Sequence, residues 1–205
     1  MDTEVFALQI LRDQMGKHVF PVHRLDRKTA GIVLFGLNAD IHKAMQQMFA
    51  EKEVTKRYLA IVRGYTENHG TIDYRLRKEN GKMQEAITHY KTLDRTELNI
   101  PFGKHSTSRY SLLELQPKTG RKHQIRRHLA HIHHPIIADR PYGDNQQNKL
   151  FKEKFGLMTM MLHAWKLGFQ HPVTGEHIAI VADVQDEFGR MLKALNFTIL
   201  PLEVF

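Results

Sequence analysis

Cysteine is absent from the 205 residues, which excludes disulfides, iron–sulfur clusters and thiolate zinc sites and fits a reducing compartment. Long apolar runs are missing too. No stretch approaches the roughly 18 consecutive apolar residues of a membrane span, and Met1-Asp2-Thr3-Glu4 lacks the charged-then-apolar build of a signal peptide. Walker-type and Gly-x-Gly-x-x-Gly loops are lacking, which removes the commonest phosphate cradles of nucleotide cofactors. Proline is sparse, and no repeat, low-complexity run or linker divides the chain. These absences predict one soluble, cytoplasmic domain spanning residues 1–205, long enough to bury about 70% of its unfolded surface without staples.

Positive charge is abundant. Thirty Lys and Arg against 22 Asp and Glu leave a net +8, and 14 His add to it as pH falls. A polyanionic partner such as RNA accounts for this excess. A basic protein whose charges only solvate its surface has the same totals, so the distribution decides.

Apolar periodicity predicts an α+β architecture. Val5, Leu8, Leu11 and Met15 recur at helical spacing, with Thr3 as cap and Gly16 as stop. Gly31 to Leu37 reads as a buried strand. Asn38 caps a helix whose stripe is Ile41, Ala44, Met45, Met48 and Phe49, and Tyr58 to Val62 returns as a strand closed by Gly64. Segments at 71–76, 86–93 and 109–116 suggest antiparallel sheet. A helix is expected from about His123 to His131, then a polar loop from Tyr142 to Lys149 without a period. Strands at 160–169 and 177–182 meet through the turn His171-Pro172-Val173-Thr174-Gly175, and a last helix with Val184, Phe188, Met191, Leu192 and Leu195 is capped by Asp183.

Three segments can carry chemistry. In His23-Arg24-Leu25-Asp26-Arg27-Lys28-Thr29-Ala30-Gly31, one carboxylate sits among cations just ahead of an apolar strand. An Asp that merely neutralises a turn is the plain alternative. In Pro117 to His131, a turn at Gly120 opens a helix with Ile125, Leu129 and Ile132 as its apolar stripe and His123, Arg127 and His131 on another face, suited to phosphate or carboxylate contacts, or simply to solvation. In Lys56-Arg57-Tyr58, a Tyr that could stack on a base follows two cations, although packing explains most strand tyrosines. The pairs His128/His131 and His133/His134 lack a nearby carboxylate and any His-Glu-x-x-His pattern, so no metal is expected.

Taken together, these segments resemble the signatures of the RluA-type pseudouridine synthases, in which His-Arg-Leu-Asp, Lys-x-Tyr-x-Ala and Gly-Arg-x-His-Gln-Ile-Arg occur in that order. Here they are His23 to Asp26, Lys56 to Ala60 and Gly120 to Arg126. The runs His134 to Asp139, Met161 to Ala164 and His171 to Glu176 also look like the family's. Gly103 to Tyr110 and Pro117 to Tyr142 look like the branch that modifies tRNA at position 65, with rRNA-modifying members as the nearest rivals. Two departures stand out. Ala30 replaces the usual Ser, and the strand region with Lys-Pro-Ser-Gly that normally precedes the first helix is missing, so the chain is expected to be shortened there.

The resemblance implies a pseudouridine synthase fold: a central, largely antiparallel (mixed) sheet flanked by helices, with a catalytic cleft and no cofactor. It implies Asp26 as nucleophile, Tyr58 stacked on the uracil, Arg126 paired with Asp26, and Arg24 filling the space left by a flipped nucleotide. Arg27, Lys56, Arg57, Arg121, Lys122, His123 and Arg127 are the expected remaining RNA contacts. The expected partner is tRNA or rRNA, bound by a monomer. A noncatalytic RNA-binding module is the rival from another class, and metal-dependent RNA hydrolysis a third reading.

Overall fold

Leu59, Ala60, Ile61 and Val62 are all fully buried, so their strand is covered on both faces, and the rest of the chain is arranged around it. The computed structural model describes residues 6–198; the expected Thr3 cap and Val5 lie outside them.

In chain order come α1 (Ala7–Met15), β1 (Phe20–Pro21), β2 (Ala30–Gly31), β3 (Phe35–Gly36), α2 (Ala39–Glu51) and β4 (Thr55–Arg63). Then follow β5 (His69–Asp73), β6 (Leu76–Arg77), β7 (Met83–Gln84), β8 (Ile87–Leu98), β9 (Ser108–Pro117) and α3 (Gln124–His131). The chain continues through α4 (Asn145–Phe155), β10 (Leu162–Gln170), β11 (His177–Val181) and α5 (Asp186–Ala194).

The main sheet has the order β11-β10-β4-β9-β8-β5, entirely antiparallel, and β2 joins β10 in parallel to make it mixed. The expected α+β, largely antiparallel architecture is therefore what the chain forms. One large core lies between the sheet and α3, α4 and α5, with Leu129, Phe151 and Phe188 fully or almost fully buried. A smaller core seats Met45 of α2 with Val22, Val54, Leu167 and Phe169. Asn38 caps α2 by accepting from the Ile41 N–H at 2.9 Å, and Gly16 ends α1 in the left-handed conformation.

Three expectations fail, the first two for identifiable reasons. Gly31 to Leu37 is not a continuous strand: only β2 and β3 form within it. Along β10, His163 and Ala164 pair with β2, but from Lys166 onward β11 occupies that edge, so the segment must leave the sheet. The loop expected from Tyr142 to Lys149 instead opens α4, whose cap Asp144 accepts from the N–H groups of Gln146 and Gln147 at 2.9 and 3.1 Å. Its buried side rests on Gln147 and Phe151, too few apolar residues to print a period. Asp183 does not cap α5, which starts at Asp186 after Gln185.

Gly31 has φ +109°, and a Cβ there would lie 2.1 Å from the Ala164 carbonyl oxygen. Gly31→Ala is therefore expected to destabilise the protein by about 3 kcal/mol through backbone strain and displacement of β2. Urea denaturation showing a loss under about 0.5 kcal/mol would contradict this close approach.

Candidate active site

Ala164 of β10 pairs with Gly31 of β2 on one side and with Tyr58 of β4 on the other. This brings the turn before β2 alongside the tyrosine strand. The Thr29 N–H donates to the Asp26 carbonyl at 2.9 Å, closing a tight turn with Arg27 and Lys28 at its apex, and Lys28 Nζ is tied to the Met158 carbonyl at 2.9 Å. Asp26 thereby points into a cleft of about 1240 Å³.

The opposite wall comes from the turn ahead of α3. Gln124 satisfies its whole amide. Its Oε1 accepts from Thr119 Oγ1 at 2.7 Å and the Arg121 N–H at 3.0 Å, while Nε2 donates to the Ile87 carbonyl and Thr88 Oγ1 at 2.9 and 3.0 Å. This holds residues 119–124 against β8, with His123 in the left-handed region at φ 53°. His128, fully buried, bonds Thr88 Oγ1 and the Tyr74 carbonyl, so it anchors α3 rather than serving a ligand. His131 stacks on Tyr74 with centroids 3.6 Å apart.

Arg126 Nη1 donates to Asp26 Oδ2 at 2.8 Å, spanning 100 residues of sequence. The same guanidinium donates from Nε and Nη2 to both oxygens of Asp139, each at 2.8 Å, and the Asp139 side chain is 1% exposed. Burial alone would lower the arginine's pKa, but its hydrogen bonds to Asp139 and Asp26 more than reverse this, so it is raised and the group stays charged. Tyr142 lies over the guanidinium at 5.0 Å and bonds His123 Nδ1 at 3.0 Å, while His123 Nε2 stands 3.7 Å from Asp26 Oδ1. Burial lowers the His123 pKa, only partly opposed by Asp26, which favours the neutral ring.

Arg24, Lys56, Tyr58, Arg121, Lys122, His123 and Arg127 all line the cleft with Asp26 and Arg126. Arg27 and Arg57 are not among its lining residues. Arg57 points to the other side of β4 and pairs with Glu114. Sequence reasoning missed Asp139 and Tyr142 as site residues. It also missed the rim formed by the β6–β7 hairpin, whose Arg77 and Lys78 face the cleft and whose Glu79 meets Lys122. Asn80-Gly81 was the available hairpin signal, and Asp139 behind the apolar Ile136, Ile137 and Ala138 signalled a buried acid needing a cation.

Burial, and secondarily the Asp26 carboxylate, push the Tyr58 phenol up to about 12. A raised folded-state value means the proton is kept where an unfolded tyrosine, near 10, would lose it. The stability linked to it is full below pH 10 and falls as pH rises toward 12. Subtracting the ultraviolet titration of Tyr58→Phe from that of the wild type is expected to show no phenolate from this residue at pH 10. A half-ionised component there would overturn the assignment.

A family profile described as RNA pseudouridylate synthase matches residues 2–131. The chain is 45% identical over 203 residues to tRNA pseudouridine synthase C of Vibrio parahaemolyticus, covering 94% of this chain and 82% of that one. It is 48% identical over 203 residues to the protein of the same name in Haemophilus ducreyi, covering 84% of it. Among solved structures, human RNA Pseudouridylate Synthase Domain Containing 4 aligns with TM-score 0.71 and 26% identity over 92% of this chain and 80% of that one. Human RNA Pseudouridylate Synthase Domain Containing 1, at 23% identity and TM-score 0.70, shares the fold. On the family match and the extent of these identities, the chain belongs to the RluA-type RNA pseudouridylate synthases.

Proposed function

We propose that this chain isomerises a uridine of tRNA to pseudouridine, at position 65, with Asp26 as the nucleophile. The observation that carries this reading is the Asp26 carboxylate held 2.8 Å from Arg126 in a cleft it shares with Tyr58. The tRNA choice is supported by relatives such as those of Vibrio parahaemolyticus and Haemophilus ducreyi, which carry that substrate in their names.

In this reading a uridine is flipped into the cleft, at a cost of a few kcal/mol that stacking of about 1–3 kcal/mol per base and phosphate contacts offset. The Asp26 carboxylate attacks C1′ as the C1′–N1 bond breaks, the detached base turns, and C5 then displaces the carboxylate from C1′ to form the C1′–C5 bond, freeing Asp26 as C5 loses its proton and N1 gains one. Atoms and electrons balance without a cofactor. Tyr58, a neutral phenol at neutral pH, stacks on the uracil with its O–H available to donate a hydrogen bond. Arg24 fills the vacated space in the RNA, and Lys56, Arg121, Lys122, His123 and Arg127 meet phosphate or base along the cleft. Arg27 and Arg57 reach only RNA that extends beyond it. The enzyme works as a monomeric single domain in the cytoplasm, where its substrate is found.

The test is mass mapping of pseudouridine in tRNA and rRNA from cells with and without the gene, and in transcripts incubated with the purified protein. Loss and restoration of the tRNA site supports the proposal. A change confined to rRNA overturns the tRNA choice, and no change in either overturns the activity.

A further inference from the structure

We propose that Asp139 is a positioning residue for this reaction, acting through Arg126; the inference rests on the function proposed above. An arginine beside a carboxylate nucleophile poses a conflict. Free to swing, its fork would grip both oxygens of Asp26 and hold them in a bidentate pair, where neither is available for attack. Asp139 prevents this by taking the Nε and Nη2 edge with both of its own oxygens, so that Nη1 reaches a single oxygen of Asp26. Asp26 Oδ1 is left on the side of the neutral His123, at 3.7 Å. Asp139 also shares the cationic charge, so the nucleophile faces a guanidinium already matched by one carboxylate.

The loop bearing Asp139 is held to a corresponding degree. Asn148 of α4 accepts from the Ala138 N–H and donates to the Asp139 carbonyl, both at 2.8 Å. The Gly143 N–H adds a bond to the same carbonyl at 3.0 Å, and a Cβ at Gly143 would lie 2.0 Å from it. The Tyr142 ring closes over the guanidinium face. Helix α4 thus splints Asp139, Asp139 fixes the fork, and the fork presents one N–H to the nucleophile. A buried pair of this kind adds little net stability over apolar packing, so its geometric effect on Asp26 is the better account of its presence.

The experiment compares wild type, Asp139→Asn, Arg126→Lys and the double variant in single-turnover pseudouridine formation on a tRNA transcript, with RNA affinity and melting measured in parallel. Asp139→Asn is expected to slow the chemical step about 10- to 100-fold, the usual range for a residue supporting a reacting group through another, with RNA affinity within about threefold. The double variant should be no slower than Arg126→Lys alone, because Asp139 acts only through the fork. In nitrogen-15 spectra the Arg126 Nε–H should be protected from exchange in wild type and exposed in Asp139→Asn. If Asp139→Asn does not fold, Asn148→Ala, which frees the loop without burying a new group, is expected to give the same loss of Nε–H protection and a slower chemical step. A folded Asp139→Asn, or Asn148→Ala in its place, turning over within about threefold of an active wild type, or losses that multiply in the double variant, overturns the positioning role alone. A wild type that forms no pseudouridine overturns the function and this role with it.

Discussion

Asp26→Asn is expected to reduce pseudouridine formation by roughly 10⁴-fold or more, with RNA affinity within a few-fold of wild type. Asn keeps the shape and one oxygen to accept from Arg126 Nη1, so the cleft wall should stand unchanged. What disappears is the anionic lone pair that attacks. The Asp26 side chain is 25% exposed, and Arg126 retains both bonds to Asp139. The variant should therefore melt within about 1 kcal/mol of wild type. Single-turnover kinetics on a tRNA transcript, with circular-dichroism melting and a binding assay, separate these quantities. Turnover within tenfold of wild type would sink the nucleophile assignment. It would do so most directly in favour of a module that binds RNA without reacting.

Arg126→Ala is expected to be the most disruptive substitution in the site, because it strikes stability and catalysis together. Asp139 would remain 1% exposed with its two guanidinium donors gone. The Tyr142 N–H, at 3.4 Å from Oδ1, is a weak substitute. Breaking a buried ion pair from one side typically costs about 3–5 kcal/mol, and urea denaturation should show a loss of that order. In the fraction that folds, Asp26 loses the group that orients it, so turnover should fall severely while RNA affinity stays largely intact, since Arg126 is buried and Arg24, Arg121 and Lys122 remain exposed in the cleft. A variant with near-normal single-turnover rate would refute the role. One that loses affinity in parallel with rate would make Arg126 an RNA contact instead.

Elements whose cause lies within a few residues could be read directly from the chain. Asn38 starts α2 and Gly16 ends α1 because a cap depends only on its neighbours. The β4 strand shows in the run around Leu59 to Val62 because burial on both faces demands apolar residues at every position. Asp26 was legible as a candidate because a carboxylate among cations is a local pattern, whereas Arg126 was singled out only by the family resemblance, since nothing local to its helix distinguishes it from the neighbouring cations. Helix α4 was not, since a helix resting on Gln147 and Phe151 offers too little apolar pattern, and its cap Asp144 sat unremarked in a polar stretch.

Composition and local pattern were thus sufficient for the basic character, the α+β order of elements and the choice of Asp26 as a candidate, each a property of residues close in sequence; the role proposed for that carboxylate came from the family resemblance. Beyond the Arg126 pairing that the family resemblance implied, folding decided which cations meet Asp26. Arg57 is turned away to Glu114 by the two-residue alternation of β4, while Arg126 is delivered to Asp26 and shared with Asp139. The reason is that a guanidinium has several possible carboxylate partners in the chain, and only the pairing of β2 with β10 and the packing of α3 on the sheet bring two of them within 2.8 Å of the same fork.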